Sequence, residues 1–376
     1  MINTEAFGER LLNHGYRFAS GVPCSFLKYL INDAINRMSY IAAVNEGDAV
    51  AIASGVHMGG QKSLVLMQNS GLTNAISPLT SLNFPFRTPI LGFVSLRGEA
   101  GLNDEPQHEL TGIVTDKMLD ICGVAHEHLS SDFETAAIQL EKADHVVREN
   151  RPFFFIVRKN TFSEVKLKEE QARDKRRGEL IQRNSPLMEM TRLSALQTIA
   201  AEKDDKTVLL ASTGKTGREL YEIGDSKQHL YMVGSMGCVS SLGLGIATVK
   251  PHHRIIAIDG DGALLMRMGA LATNGYYGEG NLLHILIDNN CHDSTGGQRT
   301  VSHWVDFPAI AISCGYGRAV EANSLDELAQ AIAHWKKHPV LSFIRVRVKR
   351  GSKKDLGRPS LKPHEIKERL MGFLRE

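Results

Sequence analysis

The sequence has no long hydrophobic run, no paired cysteines and little excess of charge of either sign. No apolar stretch approaches the length that crosses a membrane, and the acidic residues among the first ten positions are unlike a signal peptide. Five scattered cysteines without a CxxC pair predict neither a disulfide framework nor a zinc site. A formal net charge of +2 argues against nucleic acid as a partner. A cytoplasmic protein without a membrane partner is the simplest expectation.

What the chain of 376 residues does contain is a repeated alternation of short apolar runs and helix-length segments. This alternation predicts an α/β fold of two doubly wound domains with parallel sheets. We expect residues 1–160 to form the first domain and residues 189–350 the second. Residues 161–188 are rich in charge and poor in apolar side chains, which predicts a solvated linker. Residues 351–376 are basic and end in a short amphipathic helix, to which we assign packing or contact with a partner.

The most informative motif is Asp259-Gly-Asp-Gly262, which follows a predicted strand. A helix is expected over 264–275, and a second strand then leads to Asn289, which is 28 residues after Asp261. Because parallel strands end at the same sheet edge, both polar clusters should lie together. A few oxygen ligands suit a Mg²⁺ ion shared with a phosphate, and N–H groups at the helix start suit the phosphate. A plain turn is the alternative. The residues expected to contact the phosphate-bearing cofactor here are Gly260, Gly262 and Ala263.

Two other positions, Glu46 and Met236, become candidate functional residues when they are considered together with this motif. Glu46 follows a predicted strand and begins a helix of small residues, where a partly buried carboxyl can share a proton with a ring nitrogen. An acid stabilised by the helix dipole is the alternative for Glu46. Met236 lies between a strand and a helix rich in glycine and alanine, 25 residues before Asp261. An ordinary core methionine is the alternative there.

The segment Ser212–Thr216 looks like the end of a phosphate-binding P-loop. Leu209 stands where such a loop requires its first glycine, so an ATPase is not expected. The segment still follows a strand, and Thr213 and Gly214 are candidates for contact with a cofactor diphosphate. A plain turn with a helix N-cap is an equally good alternative.

The Gly-Asp-Gly motif and the distant asparagine together resemble the signature of thiamine diphosphate enzymes, which bind the pyrimidine in one domain and the diphosphate in another. The resemblance implies that Asp261, Asn289 and the backbone carbonyl of Cys291 bind Mg²⁺. Asn290 is an alternative to Asn289, because the usual Asn-Asn pair is here part of Asp288-Asn-Asn290.

By the same resemblance, Glu46 would be the acid that activates the aminopyrimidine ring, and Met236 would be the apolar wedge beneath the cofactor. In this family the cofactor bridges two subunits. The resemblance therefore implies a homo-oligomer in which one subunit supplies Glu46 and its neighbour supplies Asp261 and Asn289.

Longer segments, spread over nearly the whole chain, resemble the phosphonopyruvate and sulfopyruvate decarboxylases. They are 21–28, 45–47, 67–74, 97–108 and 292–298. These enzymes act on pyruvates with a phosphonate or sulfonate at C3. Segment 97–108 and the fusion of both halves in one chain favour 3-phosphonopyruvate, decarboxylated to phosphonoacetaldehyde and CO₂. Sulfopyruvate is the alternative. Other thiamine diphosphate decarboxylases, a carboligase or a non-catalytic thiamine-binding protein fit less well, since there is no room for a middle domain and Glu46 is intact.

A dianionic phosphonate requires cations and hydrogen-bond donors. The candidate substrate-binding residues are Ser25, Asn69, Ser70, Arg97, Ser294 and Thr295. His108 and His292 could relay protons near neutral pH. Histidine and serine in polar loops more often stabilise the loop, and this is the alternative for each of them.

Overall fold

The computed structural model describes residues 1–168, 174–182 and 185–376, which belong to two compact units. The first unit is Met1–Ala172 and the second is Arg173–Glu376. Part of the segment predicted to be a linker lies outside the described residues. Its described part is not entirely a linker, because Glu179–Ile181 forms a strand at the edge of the second unit's sheet. Within the described residues, no helix combines the length and apolar character needed to cross a membrane.

The first unit is built on a six-stranded parallel sheet with strand order β2-β1-β3-β4-β6-β5. Its strands are β1 (Tyr16–Gly21), β2 (Ser39–Ala42), β3 (Lys62–Gln68), β4 (Leu91–Ser95), β5 (Ala125–His128) and β6 (Phe153–Val157). Its helices are α1 (Thr4–Asn13), α2 (Lys28–Arg37), α3 (Glu46–Met58), α4 (Asn69–Pro78), α5 (Phe84–Phe86), α6 (Glu109–Ile121) and α7 (Phe133–Arg148). The interior strands β4 and β6 are buried throughout and almost wholly apolar, as expected of parallel strands covered on both faces.

The second unit is built on a seven-stranded parallel sheet with strand order β7-β14-β15-β11-β10-β8-β9, and it also carries the short hairpin β12–β13. Its strands are β7 (Glu179–Ile181), β8 (Thr207–Ala211), β9 (His229–Tyr231), β10 (Arg254–Gly260), β11 (Leu282–Asp288), β12 (Cys291–His292), β13 (Gln298–Arg299), β14 (Arg318–Ala322) and β15 (Ser342–Arg347). Its helices are α8 (Arg192–Ala201), α9 (Lys215–Ile223), α10 (Val239–Val249), α11 (Asp261–Met266), α12 (Ala270–Tyr277), α13 (Phe307–Ser313), α14 (Leu325–Lys337) and α15 (Pro363–Phe373). Both sheets confirm the predicted α/β class.

Two details of the second unit differ from or extend the sequence predictions. The single helix expected over 264–275 is two helices, α11 and α12, and Gly269 lies at the break, where its low helix propensity is tolerated. The amphipathic helix expected in the C-terminal tail is α15, which packs beside β9. Arg369 of α15 donates hydrogen bonds of 2.6 and 2.8 Å to Asp225, so this helix is part of the unit.

In the first unit, the buried carboxylate of Asp144 on α7 accepts hydrogen bonds from three side chains. The donors are the Tyr16 hydroxyl at 2.9 Å, Lys62 Nζ at 2.5 Å and Arg148 Nε at 2.8 Å. Burial alone would raise the pKa of Asp144, but the hydrogen bonds from Lys62, Arg148 and Tyr16 outweigh it and hold the pKa at about 2.

We expect Asp144→Asn to lower the free energy of unfolding at neutral pH by about 1–3 kcal/mol, because three donors lose a charged acceptor. The folded-state pKa is depressed, so the stabilisation by Asp144 is complete above about pH 4 and is lost as the pH falls towards 2. Urea unfolding of both proteins between pH 7 and pH 2 checks this. The difference between them should shrink below about pH 4, and a difference that stays constant would contradict the assigned role.

Candidate active site

A pocket at the carboxyl edge of the second sheet gathers most of the residues predicted to bind cofactor and metal. It lies where the adjacent strands β8, β10 and β11 end, the position at which parallel α/β sheets bind ligands. The predicted residues that line it are Thr213, Met236, Gly260, Asp261, Gly262, Ala263, Asn289, Cys291, His292 and Ser294. Thr295 does not line it, because its hydroxyl bonds to the His292 carbonyl and to Gln298 within the same loop.

Asp261 begins α11 and has a buried carboxylate that fits a metal ligand. The Thr300 hydroxyl donates to it, and burial raises the pKa of the carboxyl. No cation among the described residues pairs with Asp261. A buried acid without a cationic partner is costly, so this carboxylate has unsatisfied affinity for a cation.

The two asparagines that follow β11 have different surroundings. Asn289 lines the pocket together with Asp261, and its amide oxygen accepts a hydrogen bond of 3.2 Å from the Cys291 backbone. Asn290 does not line the pocket, and its amide oxygen accepts from the Ser302 hydroxyl at 3.0 Å. Of these two asparagines, Asn289 is therefore the one that shares a pocket with Asp261.

Asp293 connects the residues around this pocket, and the sequence analysis did not single it out. Its carboxylate accepts hydrogen bonds from Asn289 Nδ2 at 2.7 Å and from the buried Arg192 at 3.0 Å, and Gly351 N donates to it at 3.1 Å. The Cys291 thiol donates to it at 3.1 Å, and burial together with Asp293 raises the pKa of that thiol to about 12. Because the thiol already donates to Asp293, the backbone carbonyl stays the predicted metal-binding group of Cys291.

The glycines of the motif differ in the space around them. A Cβ on Gly260 would meet no atom within 4 Å, so this backbone is open to a ligand. A Cβ on Gly262 would lie 2.3 Å from His292 Cε1, which means that the histidine ring packs directly on the motif. Gly214 has φ of +95° at the start of α9, a conformation that favours glycine, and faces Ser294.

The pocket contains two cationic residues that the sequence analysis missed, Arg192 and Lys215. Lys215 is the first residue of α9. It belongs to the segment Ser212–Thr216 that resembles the end of a P-loop, so the sequence contained a signal for it. Arg192 lies before β8 in the chain and pairs with Glu219 at 3.1 Å as well as with Asp293, so only the tertiary fold brings it here.

In the first unit, Glu46 is the first residue of α3, and Asn45 caps that helix through its side chain. The half-buried Glu46 carboxylate accepts a hydrogen bond of 2.8 Å from Asn74 Nδ2 on α4. Gly71 on the same helix leaves it room, because a Cβ there would lie 2.0 Å from Glu46 Oε1. Helix α4 therefore determines where this carboxyl points.

The substrate-binding candidates of the first unit are mostly engaged with protein groups. Arg97 forms a bidentate contact with Asp104 and donates to the Ser25 hydroxyl at 3.1 Å. Asn69 is fully buried and donates to the Arg97 carbonyl at 2.8 Å, so it holds the loop rather than facing a ligand. The Ser70 hydroxyl accepts from Gln68 at 2.6 Å.

His108 lies at the start of α6 and is nearly fully buried. Its ring Nδ1 has no hydrogen-bond partner among the described residues. This position is less open to a substrate than that of His292, which is half-buried in the pocket of the second unit.

Comparisons with known proteins agree with this arrangement. Residues 2–118 match the family described as thiamine pyrophosphate enzyme, N-terminal TPP binding domain, and residues 213–346 match the C-terminal TPP binding domain. The benzoylformate decarboxylase of Polynucleobacter necessarius superimposes with a TM-score of 0.72 over 94% of this chain and 100% of its own, at 13% identity. That likeness concerns the fold alone.

Relatives with higher identity cover 90% or more of the chain. The phosphonopyruvate decarboxylase of Streptomyces hygroscopicus is 39% identical over 100% of this chain and 95% of its own length. That of Streptomyces viridochromogenes is 39% identical over 96% and 92%, and the sulfopyruvate decarboxylase of Methanosarcina acetivorans is 29% identical over 90% and 89%.

Fold and domain matches define the class of the protein as a thiamine diphosphate-dependent enzyme. Within that class, the chain belongs to the phosphonopyruvate decarboxylase family of 2-oxo acid decarboxylases, to which sulfopyruvate decarboxylases are also similar.

We expect Gly71→Ala to displace the Glu46 carboxyl and to lower activity by about tenfold or more, because the displaced carboxyl would be out of place for the proton transfer predicted for it. Alanine suits a helix, so the thermal midpoint should change little. Steady-state kinetics and circular dichroism check both expectations. Gly372→Ala in α15, where a Cβ meets nothing within 4 Å, is the matched control and should keep full activity. Wild-type activity in Gly71→Ala would mean that the position of Glu46 is not critical.

Proposed function

We propose that this enzyme decarboxylates 3-phosphonopyruvate to phosphonoacetaldehyde and CO₂, using thiamine diphosphate and Mg²⁺. The observation that carries the choice of substrate is the 39% identity, along the full length, to two relatives that are phosphonopyruvate decarboxylases. Sulfopyruvate is the second candidate, because a full-length relative that acts on it is 29% identical.

The residues of the second unit fit the diphosphate and its metal. Asp261, Asn289 and the Cys291 carbonyl would hold Mg²⁺, since oxygen ligands suit this ion and the buried Asp261 has no cationic partner among the described residues. The N–H groups of Gly262 and Ala263 at the start of α11 would bind the diphosphate.

Four further residues complete the proposed cofactor site. Thr213 and Gly214 at the start of α9 would also contact the diphosphate, and the open backbone of Gly260 leaves space for it. The half-buried Met236, which lines the same pocket, would support the cofactor ring.

Thiamine diphosphate, when bound, supplies the nucleophilic carbon that adds to the ketone and the electron sink that allows CO₂ to leave. Glu46 would hold a proton and share it with the aminopyrimidine ring, with Asn74 orienting its carboxyl. His292 would move a proton to or from the substrate, because its ring lies on the metal-binding motif. Ser294 would donate a hydrogen bond to the substrate from the same loop. Similar roles for His108, in proton transfer, and for Ser70 and Thr295, in substrate binding, stay predictions.

We further propose a homo-oligomer whose active sites are shared between subunits. Apolar side chains near both halves of the site support this. Val44, two residues before Glu46, is 54% exposed, Met266 in α11 is 63% exposed and Trp304 is 86% exposed. Large apolar groups exposed beside functional residues are typical of surfaces that another chain covers.

The substrate is tested with purified protein, thiamine diphosphate and Mg²⁺, offered 3-phosphonopyruvate, sulfopyruvate and pyruvate while CO₂ release is followed. We expect the highest kcat/KM for 3-phosphonopyruvate, loss of activity on chelation and recovery with Mg²⁺. Glu46→Gln should bind the cofactor but lose activity by about 100-fold or more, as removal of a positioned proton-transfer group implies. A higher kcat/KM for sulfopyruvate would assign the enzyme to that substrate instead.

Shared sites are tested by mixing two inactive variants, Glu46→Gln and Asp261→Ala, after dissociation and reassociation. If the two groups meet across a two-fold interface, random pairing restores about a quarter of the sites to wild-type composition. Glu46→Gln mixed with the double variant is the control and should stay inactive, since no intact Glu46 is present. Tagged chains confirm exchange, and confirmed exchange without regained activity would place both groups in one subunit's site.

A further inference from the structure

A cleft of about 680 Å³ in the first unit lies at the carboxyl ends of β1, β4 and β6. We call it the cationic cleft and define it by Ser25, Lys28, Arg97 and Lys159, which come from three different strand ends. Its size exceeds that of a three-carbon acid, and it lies along the sheet edge at which Glu46 follows β2. The nature of its charged groups decides which ligand it suits.

Arg97 is already compensated within this cleft. Its Nε donates to both carboxylate oxygens of Asp104, at 3.0 and 2.7 Å, and its Nη2 also contacts Asp104. The guanidinium group lies 4.8 Å from the ring centre of Phe26, and Nη1 donates to the Ser25 hydroxyl at 3.1 Å. The hydrogen bond from Arg97 holds the pKa of Asp104 well below its usual range. Arg97 is therefore a positioning residue for Ser25, and its charge is not free for a substrate.

The two lysines are in a different situation. Neither the Lys28 nor the Lys159 ammonium group forms an ion pair or a hydrogen bond with another described residue. Lys28 Nζ lies 4.5 Å from the ring centre of Tyr29, and Lys159 Nζ lies 5.8 Å from that of Phe26. The carboxylate of Glu105 also lines the cleft, so two uncompensated lysines face one further acid. The summed charge of the side chains that line the cleft is therefore positive, which favours binding of an anion.

Hydrogen bonds and packing connect this cleft to Glu46. The Cys24 thiol, next to Ser25, donates to Gln68 Oε1 at 3.5 Å, and Gln68 Nε2 donates to the Ser70 hydroxyl at 2.6 Å. Ser70 precedes Gly71 on α4, and Gly71 packs against the Glu46 carboxylate. The serine end of the cleft is thus linked to the helix that orients the predicted proton-transfer group.

We propose that Lys28 and Lys159 bind the C3 phosphonate of the substrate, with the Ser25 hydroxyl held by Arg97 as a further hydrogen-bonding group. This assignment rests on the proposed function. It makes the two lysines specificity-determining residues, because two cations attract a dianionic phosphonate more strongly than a monoanionic sulfonate, and pyruvate has no C3 anion at all. The cofactor, with Glu46 beside its aminopyrimidine ring, would then act on the ketone at the other end of the same small molecule.

The test uses the holoenzyme and 3-phosphonopropionate, which has the carboxylate and phosphonate but no reactive ketone. We expect Lys28→Met and Lys159→Met each to raise its Kd in calorimetry by about tenfold or more, as loss of a charged contact implies. Lys159→Arg keeps the charge and should largely restore binding. Lys142→Met on the exposed face of α7, outside the cleft, is the matched control and should leave the Kd unchanged.

Kinetics with 3-phosphonopyruvate should show the same variants raising KM with kcat changed much less, while the Kd for thiamine diphosphate stays at the wild-type value. Unchanged 3-phosphonopropionate binding in both methionine variants would overturn the proposal. So would an equal loss of affinity for propionate, which lacks the phosphonate. Because the calorimetry needs no turnover, it also separates this proposal from the proposed function, which fails if the wild type releases no CO₂ from 3-phosphonopyruvate.

Discussion

The parallel direction of the strands in both large sheets is the constraint on which the rest of this structure depends. Each strand requires a crossover segment, and each crossover leaves the sheet at the carboxyl edge. Polar residues at a strand end can therefore be far apart in the chain and still lie along one edge, as do Glu46, Arg97 and Lys159 in the first unit. The second unit repeats the principle with Asp261 and Asn289 at the ends of the paired strands β10 and β11.

In the second unit, buried ion pairs hold the loops that follow the strands. Asp288, at the end of β11, is held by Arg345 of β15 at 2.6 Å, and Asp293 joins Asn289 to Arg192 a few residues later. Both acids are partnered by arginine, whereas Asp261 has a hydroxyl partner and no cation in the described part of the chain. This contrast supports the proposed metal at Asp261, because arginine compensates Asp288 and Asp293 and does not compensate Asp261.

In the first unit the roles proposed for the charged groups divide between binding and chemistry. Glu46 begins the small-residue helix α3, and Gly71 and Asn74 of α4 determine its orientation. The cationic cleft carries its charge on exposed side chains, with only Arg97 fixed by an acid. Such a division suits a substrate that has a reacting carbonyl at one end and a strong anion at the other. The phenyl ring of Phe26, beside both Arg97 and Lys159, keeps the cations close without neutralising them.

Local sequence determined the α/β class, the motif around Asp261 and the helix-start position of Glu46, because strand-end motifs depend on spacing along the chain. Strand β14 was not predictable, since Arg318 and Glu321 interrupt its short apolar run. The tertiary structure alone decided that Asn289 rather than Asn290 lines the pocket with Asp261, that Asp104 compensates Arg97, and that Arg192 and Asp293 meet. Those outcomes depend on the directions of side chains from distant segments, and no spacing along the chain specifies them.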